Sequence, residues 1–312
     1  RIYFVAQDGS VPASPTHTFL YYSDSPYTSA SKVVLTGSAA NPAPVHLTAV
    51  GTKLYFGAMI VADLTLFEHD ASGVAAAAAK QETNLSNLTL SGAANPSIVA
   101  VGTTAYIRAA PLTAPVVFDI YKSASTSAIS ETATRVKHIN SNAAASSNPT
   151  MFPNSVSGST LFFSADDGTG VELYKTAGTS DTTVQIRNIN GDPNSNGDSN
   201  PSQLTFVGTT LFFTAIDNQT SDAQLYMSAS PWTSAQKLTY TVGNPHIDNL
   251  TALGTKLVFT KSEDTVQNNS GVYVTDGTVA GTTRIRSPGG VDAPTFNRVD
   301  SGILNNEIYF SH

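Results

Sequence analysis

One phrase recurs along the chain and constrains its fold more than any other feature. Residues 41–58 read "NPAPVHLTAVGTKLYFGA" and residues 95–109 read "NPSIVAVGTTAYIRA". Residues 200–215 read "NPSQLTFVGTTLFFTA" and residues 244–260 read "NPHIDNLTALGTKLVFT". Aligned on the strand after the Gly-Thr turn, the copies start at Ile2, Leu54, Ala105, Leu161, Leu211, Leu257 and Ile308. The intervals are 52, 51, 56, 50, 46 and 51 residues. A fixed period of this length marks a solenoid, a propeller or an array.

Each period carries four strand-like segments. The first follows an Asn-Pro pair, at Asn41-Pro42, Asn95-Pro96, Asn148-Pro149, Asn200-Pro201 and Asn244-Pro245. Proline fixes its own φ and disfavours a helical predecessor, so each pair is expected to open a strand from an extended residue. The turn that follows begins at Gly51, Gly102, Gly158, Gly208 or Gly254, where glycine supplies the positive φ of a hairpin. The second segment is apolar, as in Leu161-Phe162-Phe163. The third carries an aliphatic-aromatic pair: Leu20-Tyr21, Leu66-Phe67, Ile120-Tyr121, Leu173-Tyr174, Leu225-Tyr226 and Val272-Tyr273. The fourth is rich in Thr, Val and Ile, as in "TTVQIRNI" from Thr182.

Four short strands per period, repeated six times, predict an all-β chain. The architecture expected is a six-bladed β-propeller of four-stranded blades, one domain over residues 1–312, with the aromatic positions packing blade against blade. A solenoid would need capping units, and the end repeats look internal. A seven-bladed ring is the alternative, but its last blade would lack two strands and leave open edges. The ends resemble each other, "RIYFVA" at Arg1 and "EIYFSH" at Glu307. Closure is therefore expected from both termini sharing a blade. Residues 294–299 would pair with the 2–36 region, leaving Ile308 to Phe310 as a surplus strand that lies along the outside or adds to a neighbouring molecule.

"LFFSADDGTGVELYKTAGTSDTT" (161–183) and "GVYVTDGTVAGTTRIR" (271–286) resemble the ELWxxDGT repeat of exported bacterial proteins. Glu172-Leu173-Tyr174 stands for the first signature; Asp276-Gly277-Thr278 with Gly281-Thr282 stands for the second. Tyr or Phe replaces Trp throughout, and only repeats four and six match closely. The resemblance implies an exported repeat protein and brings no shared catalytic activity with it.

Composition narrows the function. Only 12% of residues are charged, about half the usual share, while Ser, Thr, Asn, Ala and Gly fill the gap. A net charge of −7 offers no basic footprint for nucleic acid or anionic lipid. The absence of cysteine excludes disulfides, thiolate metal sites and a cysteine nucleophile. No apolar run reaches the length of a membrane span, so no membrane insertion is expected. Residue 1 is Arg, and a bacterial chain that is secreted or held at the cell surface after removal of its leader is the expectation.

Three groups of residues are candidates for binding. In "DPNSNGDSN", Asp192, Asn194, Asn196, Asp198 and Asn200 alternate as oxygen ligands do around Ca²⁺, with Gly197 at the turn. Only two of the five are carboxylates, and an elongated polar loop would read the same way. Asp8, Asp167, Asp217 and Glu263 each sit six residues after the start of the second strand. They make either a ring of carboxylates at one mouth of the propeller or local turn contacts. Turn chemistry is favoured, because Ile60 and Pro111 take the place in the other two repeats. Tyr27 and Trp232 occupy equivalent Ser-Pro-aromatic turns, where an aromatic face stacks on a sugar or caps its own blade; packing is favoured.

The histidines at 17, 46, 69, 138, 246 and 312 share no metal-binding spacing, and no nucleophile or phosphate-loop motif is present. Sequons begin at Asn84, Asn87, Asn218, Asn249 and Asn268, and "VAAAAAK" (74–80) reads as a short helical or flexible insertion. The residues favour a non-catalytic extracellular binding or assembly module for a glycan, a matrix polymer or a protein partner. A polysaccharide hydrolase or lyase at the channel mouth is the alternative, since distant carboxylates leave no local signature. A self-assembling filament or surface array is the third.

Overall fold

The computed structural model describes residues 1–7, 17–35, 41–60, 63–70, 80–81, 88–90, 97–124, 133–191, 197–219, 222–238, 245–263, 271–285, 301–304 and 307–310. The chain is all-β. Two compact units divide it: Arg1–Pro153 with Gly158–Thr160 and Ala177–Thr183, and Asn154–Ser157 with Leu161–Thr176 and Val184–His312. Among the described residues no helix is long and apolar enough to cross a membrane.

In the first unit β1 (Ile2–Gln7), β2 (Thr18–Ser23) and β3 (Ser31–Lys32) form a three-stranded sheet. The strands β4 (Val45–Val50), β5 (Lys53–Ile60), β6 (Asp63–Asp70) and β7 (Lys80–Gln81) form a four-stranded sheet in chain order. Repeat three departs from the four-strand rule. Here β8 (Leu88–Leu90) joins β9 (Ile98–Val101), β10 (Thr104–Pro111), β11 (Asp119–Ala124) and β12 (Thr134–Lys137) by pairing with the far end of β10. The pairing is possible because β9 covers only Thr104 to Ile107 of β10, leaving Ala109 to Pro111 for β8.

The sheet of repeat four is β13 (Thr150–Ser157), β14 (Thr160–Asp166), β15 (Val171–Thr176) and β16 (Val184–Arg187). In the second unit follow β17 (Ser202–Val207), β18 (Thr210–Ala215), β19 (Gln224–Ala229) and β20 (Gln236–Lys237). Repeat six supplies β21 (Pro245–Leu253), β22 (Lys256–Glu263), β23 (Gly271–Thr275) and β24 (Thr283–Arg284). A last hairpin pairs β25 (Ser301–Leu304) with β26 (Glu307–Phe310). The 294–299 segment expected to close a ring lies outside the described residues, as does the 74–79 insertion.

The glycine turns behave as the repeat predicts. Gly51, Gly102, Gly158, Gly208 and Gly254 hold φ of 58°, 59°, 57°, 59° and 58°. A side chain there would be strained in every copy. The Asn-Pro pairs need a correction. Asn148 and Asn200 are left-handed, each with φ of 43°, rather than extended. Proline disfavours the right-handed helical region for its predecessor, and asparagine tolerates the left-handed one better than most residues. Inner strands also carry a bulge that the sequence did not announce. His46, Gln203 and Asn249, each five residues before its glycine, have φ of 57°, 54° and 56°, and the ladder slips beside each. A bulge of this kind bends the strand and raises its twist.

The aromatic positions do two jobs where one was expected. Phe56 stacks on Phe67, Phe163 on Tyr174, Phe213 on Tyr226 and Phe259 on Tyr273, with ring centroids 5.6–6.0 Å apart. Each is a directly opposed pair on neighbouring strands of one sheet, so these stacks hold a repeat together internally. Phe56, Phe67 and Phe259 also pack against the preceding repeat. Leu20, Tyr22, Leu54, Phe56 and Phe67 share one core across repeats one and two. Val50, Tyr55, Ile107 and Tyr121 share another across two and three, and Phe212, Leu225, Leu257 and Phe259 a third across five and six. Full burial of such a side chain contributes roughly 1.5–3 kcal/mol.

Polar ties recur at equivalent positions. Lys137 Nζ donates to the Thr183 carbonyl at 2.8 Å, and Arg187 Nη1 to the Ala235 carbonyl at 2.6 Å. Both donors end a fourth strand, and both acceptors precede the fourth strand of the next repeat. Thr48 and Thr205, each three residues before the turn glycine, donate to Ile98 and Leu250 of the following inner strand.

Candidate functional site

Asp167 and Asp217 occupy matching places at the end of a second strand, and each gathers the third and fourth strands of its sheet. Asp167 Oδ1 accepts the Thr169 amide at 2.8 Å and its hydroxyl at 2.6 Å. Its Oδ2 accepts the Tyr174 hydroxyl at 3.1 Å and Gln185 Nε2 at 3.4 Å. Asp217 Oδ1 accepts the Gln219 amide at 3.0 Å, while Oδ2 accepts the Tyr226 hydroxyl and Lys237 Nζ, both at 2.9 Å. The favoured turn chemistry is present, and the tyrosine bond adds to it.

These bonds set the protonation states. Partial burial pushes the Asp167 carboxyl up, but the donors from Thr169 and Tyr174 outweigh it and hold it below the usual carboxylate range. Burial first, and the facing carboxylate second, push the Tyr174 and Tyr226 hydroxyls well above an ordinary phenol. Both carboxylates are therefore engaged acceptors. Of the other two candidates, Asp8 lies outside the described residues, and Glu263 ends β22 with its side chain outside them.

The fourth-strand partner of the aromatic follows a rule that sequence reading missed. Opposite Tyr21, Phe67, Tyr121, Tyr174, Tyr226 and Tyr273 stand Lys32, Gln81, Arg135, Gln185, Lys237 and Arg284. A Lys, Arg or Gln holds the register position opposite the ring each time. The signal was available as a Lys, Arg or Gln just before an aliphatic residue in five of these strands.

A second missed constellation is a buried clasp. In repeat three Asp119 is fully buried and accepts the Ser147 hydroxyl at 2.7 Å, with His138 Nδ1 at 2.9 Å. Ser147 Oγ in turn accepts the Ile139 and Asn140 amides at 2.8 and 3.1 Å. Repeat four has Glu172 in the place of Asp119, and its longer side chain reaches the Ile189 and Asn190 amides directly, at 3.1 and 3.2 Å. Ser199 completes it with a 2.6 Å bond to Glu172 Oε2. One methylene decides whether the serine bridges or merely joins. The Asp119–His138–Ser147 group is not a nucleophile triad: the serine hydroxyl bonds the carboxylate, and His138 Nε2 faces the Asn142 carbonyl at 3.3 Å.

Of the calcium candidates, Asp192, Asn194 and Asn196 lie outside the described residues. Asp198 Oδ1 accepts the Val171 amide at 2.8 Å, tying the loop to the start of β15. Asn200 is the left-handed residue before Pro201. The aromatic turns separate. Tyr27 is 54% exposed. Trp232 meets Phe162 and Phe206 edge-on, at 5.2 and 6.3 Å, and its indole N–H donates to the Thr209 carbonyl at 3.1 Å. Trp232 is a packing residue with one edge in solvent.

The second unit contains a pocket of about 520 Å³ beside Asp217. Asp217 and Tyr226 themselves line it with Arg187, Asn218, Gln219, Gln236, Lys237 and Thr278, and Leu238 and Val279 supply apolar wall. The Asp276-Gly277-Thr278 turn forms one side. Asp276 Oδ1 accepts the Thr278 amide and hydroxyl at 2.9 and 2.7 Å, and the Gly281 amide donates to Thr278 Oγ1 at 2.8 Å. Gly277, with φ of 94°, lies against Met227 and Phe212 of the preceding repeat, and its backbone conformation is one that a side chain would strain.

No family model and no curated protein matches the sequence. Solved structures do match. A puromycin-hydrolysing peptidase of Mycobacterium tuberculosis aligns at 10% identity over 94% of this chain and 49% of its own, with a TM-score of 0.50. One of two prolyl endopeptidases studied together aligns at 14% identity over 96% of this chain and 41% of its own, with a TM-score of 0.49. The β-propeller domain of the Trilobed protease of Pyrococcus furiosus aligns at 12% identity over 91% of this chain and 77% of its own, with a TM-score of 0.45. The likeness is one of fold. The chain spans less than half the length of the peptidases named first.

Proposed function

We propose that the chain is a six-bladed β-propeller of the ELWxxDGT-repeat kind, secreted or held at the surface of a bacterial cell, and that it binds a glycan without catalysis. One observation carries this reading: the pocket beside Asp217, whose walls alternate amides, a hydroxyl and cations with small apolar surfaces. Saccharides present the matching chemistry, with hydroxyls for the amides and C–H faces for Leu238 and Val279. The nearest carboxylate supports binding over hydrolysis. Asp217 is held by Tyr226, Lys237 and the Gln219 amide, which leaves it poorly placed as a general acid.

A glycan array, run with and without a calcium chelator, tests the proposal. Selective retention of one glycan class is expected, with no shortened products after prolonged incubation. Release of reducing ends that is abolished by Asp217→Asn would establish the enzymatic alternative. Loss of retention in chelator would bring the Asp192–Asn200 loop into the site.

A further inference from the structure

We infer that the pocket in the second unit takes an acidic saccharide, one bearing a uronate carboxylate, and that Arg187 is the residue that reads the acid. The inference rests on the glycan-binding reading and names the ligand class of the same site. The charge balance points to it. Asp217 and Lys237 form an ion pair at 2.9 Å, with side chains only 9% and 15% exposed, so they cancel each other inside the wall. Arg187 also lines the pocket, is exposed, and forms no ion pair among the described residues. The pocket therefore keeps one net positive charge, although the whole chain carries −7.

The guanidinium is also pre-positioned. Nη1 is anchored on the Ala235 carbonyl at 2.6 Å, which fixes the plane of the group while its other N–H donors remain for a ligand. A planar guanidinium held in this way suits a carboxylate, which it meets with two parallel hydrogen bonds. Asn218, Gln219 and Gln236 stand around the same space as donors and acceptors for ring hydroxyls. A neutral sugar would satisfy the amides but leave the cation unmatched, so the acidic sugar is preferred.

Titration calorimetry of the full chain with tetragalacturonate, and with cellotetraose as the neutral probe, tests this. Tighter binding of the acidic probe is expected, weakening as salt is raised. Arg187→Gln should weaken the acidic probe about tenfold and leave the neutral one unchanged, a tenfold change corresponding to about 1.4 kcal/mol. Because Arg187 also ties two repeats, Gln219→Glu serves as the second variant. It adds a repelling carboxylate without touching the Ala235 bond, and should weaken the acidic probe by a clearly larger factor than the neutral one. Equal or tighter binding of cellotetraose, or no selective loss in either variant, overturns the acidic preference and leaves glycan binding standing. Failure of both probes, together with an empty glycan array, overturns both.

Discussion

Tyr27 and Trp232 close equivalent turns, yet only one of them is structural. Trp232 wedges against Phe206 of its own sheet and Phe162 of the preceding one, whereas Tyr27 is more than half exposed. Trp232→Ala should cost about 2–4 kcal/mol, somewhat under a full core deletion, and Tyr27→Ala about 0.5 kcal/mol or less. Chemical denaturation of both variants checks the pair. His69 makes a different demand. It is buried against Tyr3 and Tyr22, and among the described residues neither ring nitrogen has a hydrogen-bond partner. Burial, helped by the Arg1 charge, holds its pKa below the usual value against a smaller opposite pull from Asp70. The unfolded chain therefore takes up a proton at a higher pH than the folded one. Stability contributed by neutral His69 is intact above about pH 6.5 and falls as pH drops from there toward the folded pKa. His69→Phe keeps the ring contacts and should flatten the slope of urea midpoints measured from pH 5 to 8.

At the scale of elements, the Asp276–Thr282 turn shows why the signature takes the form it does. Asp276 folds back on Thr278, and Thr278 Oγ1 receives the Gly281 amide, so a methyl at Gly281 would run into the Asp276 carboxylate. Gly281→Ala should lower stability by about 1–3 kcal/mol, read as a shifted denaturation midpoint. Elements governed by one residue were legible in the sequence. The glycine turns, the buried aliphatic of each third strand and the apolar second strands all stand where the pattern put them. Features that depend on two partners were not. The tie from Thr48 to Ile98, or from Arg187 to Ala235, needs a backbone carbonyl, and carbonyls carry no letter. The pairing of β8 with β10 escaped for the same reason, because a three-residue strand has no periodicity to read. The recurrence of Asp167 and Asp217 was readable from the repeat, but their capture by Tyr174 and Tyr226 depends on register.

For the whole molecule, the proposed ring has a visible consequence. The proposed six-bladed ring should appear in electron-microscopic class averages with six-fold pseudosymmetry; seven lobes or an open arc would require a different closure. The ties between repeats carry a consequence of their own. From Thr48, Lys137, Lys175, Arg187 and Thr205, each side-chain donor reaches a carbonyl of the repeat that follows, while Thr89 of the displaced β8 reaches back to Leu64. A row of such units is polar, like a train with hooks at one end of every carriage and eyes at the other. A unit added at the hooked end of the row would have to bring carbonyls to the same places, and one added at the other end would have to bring donors.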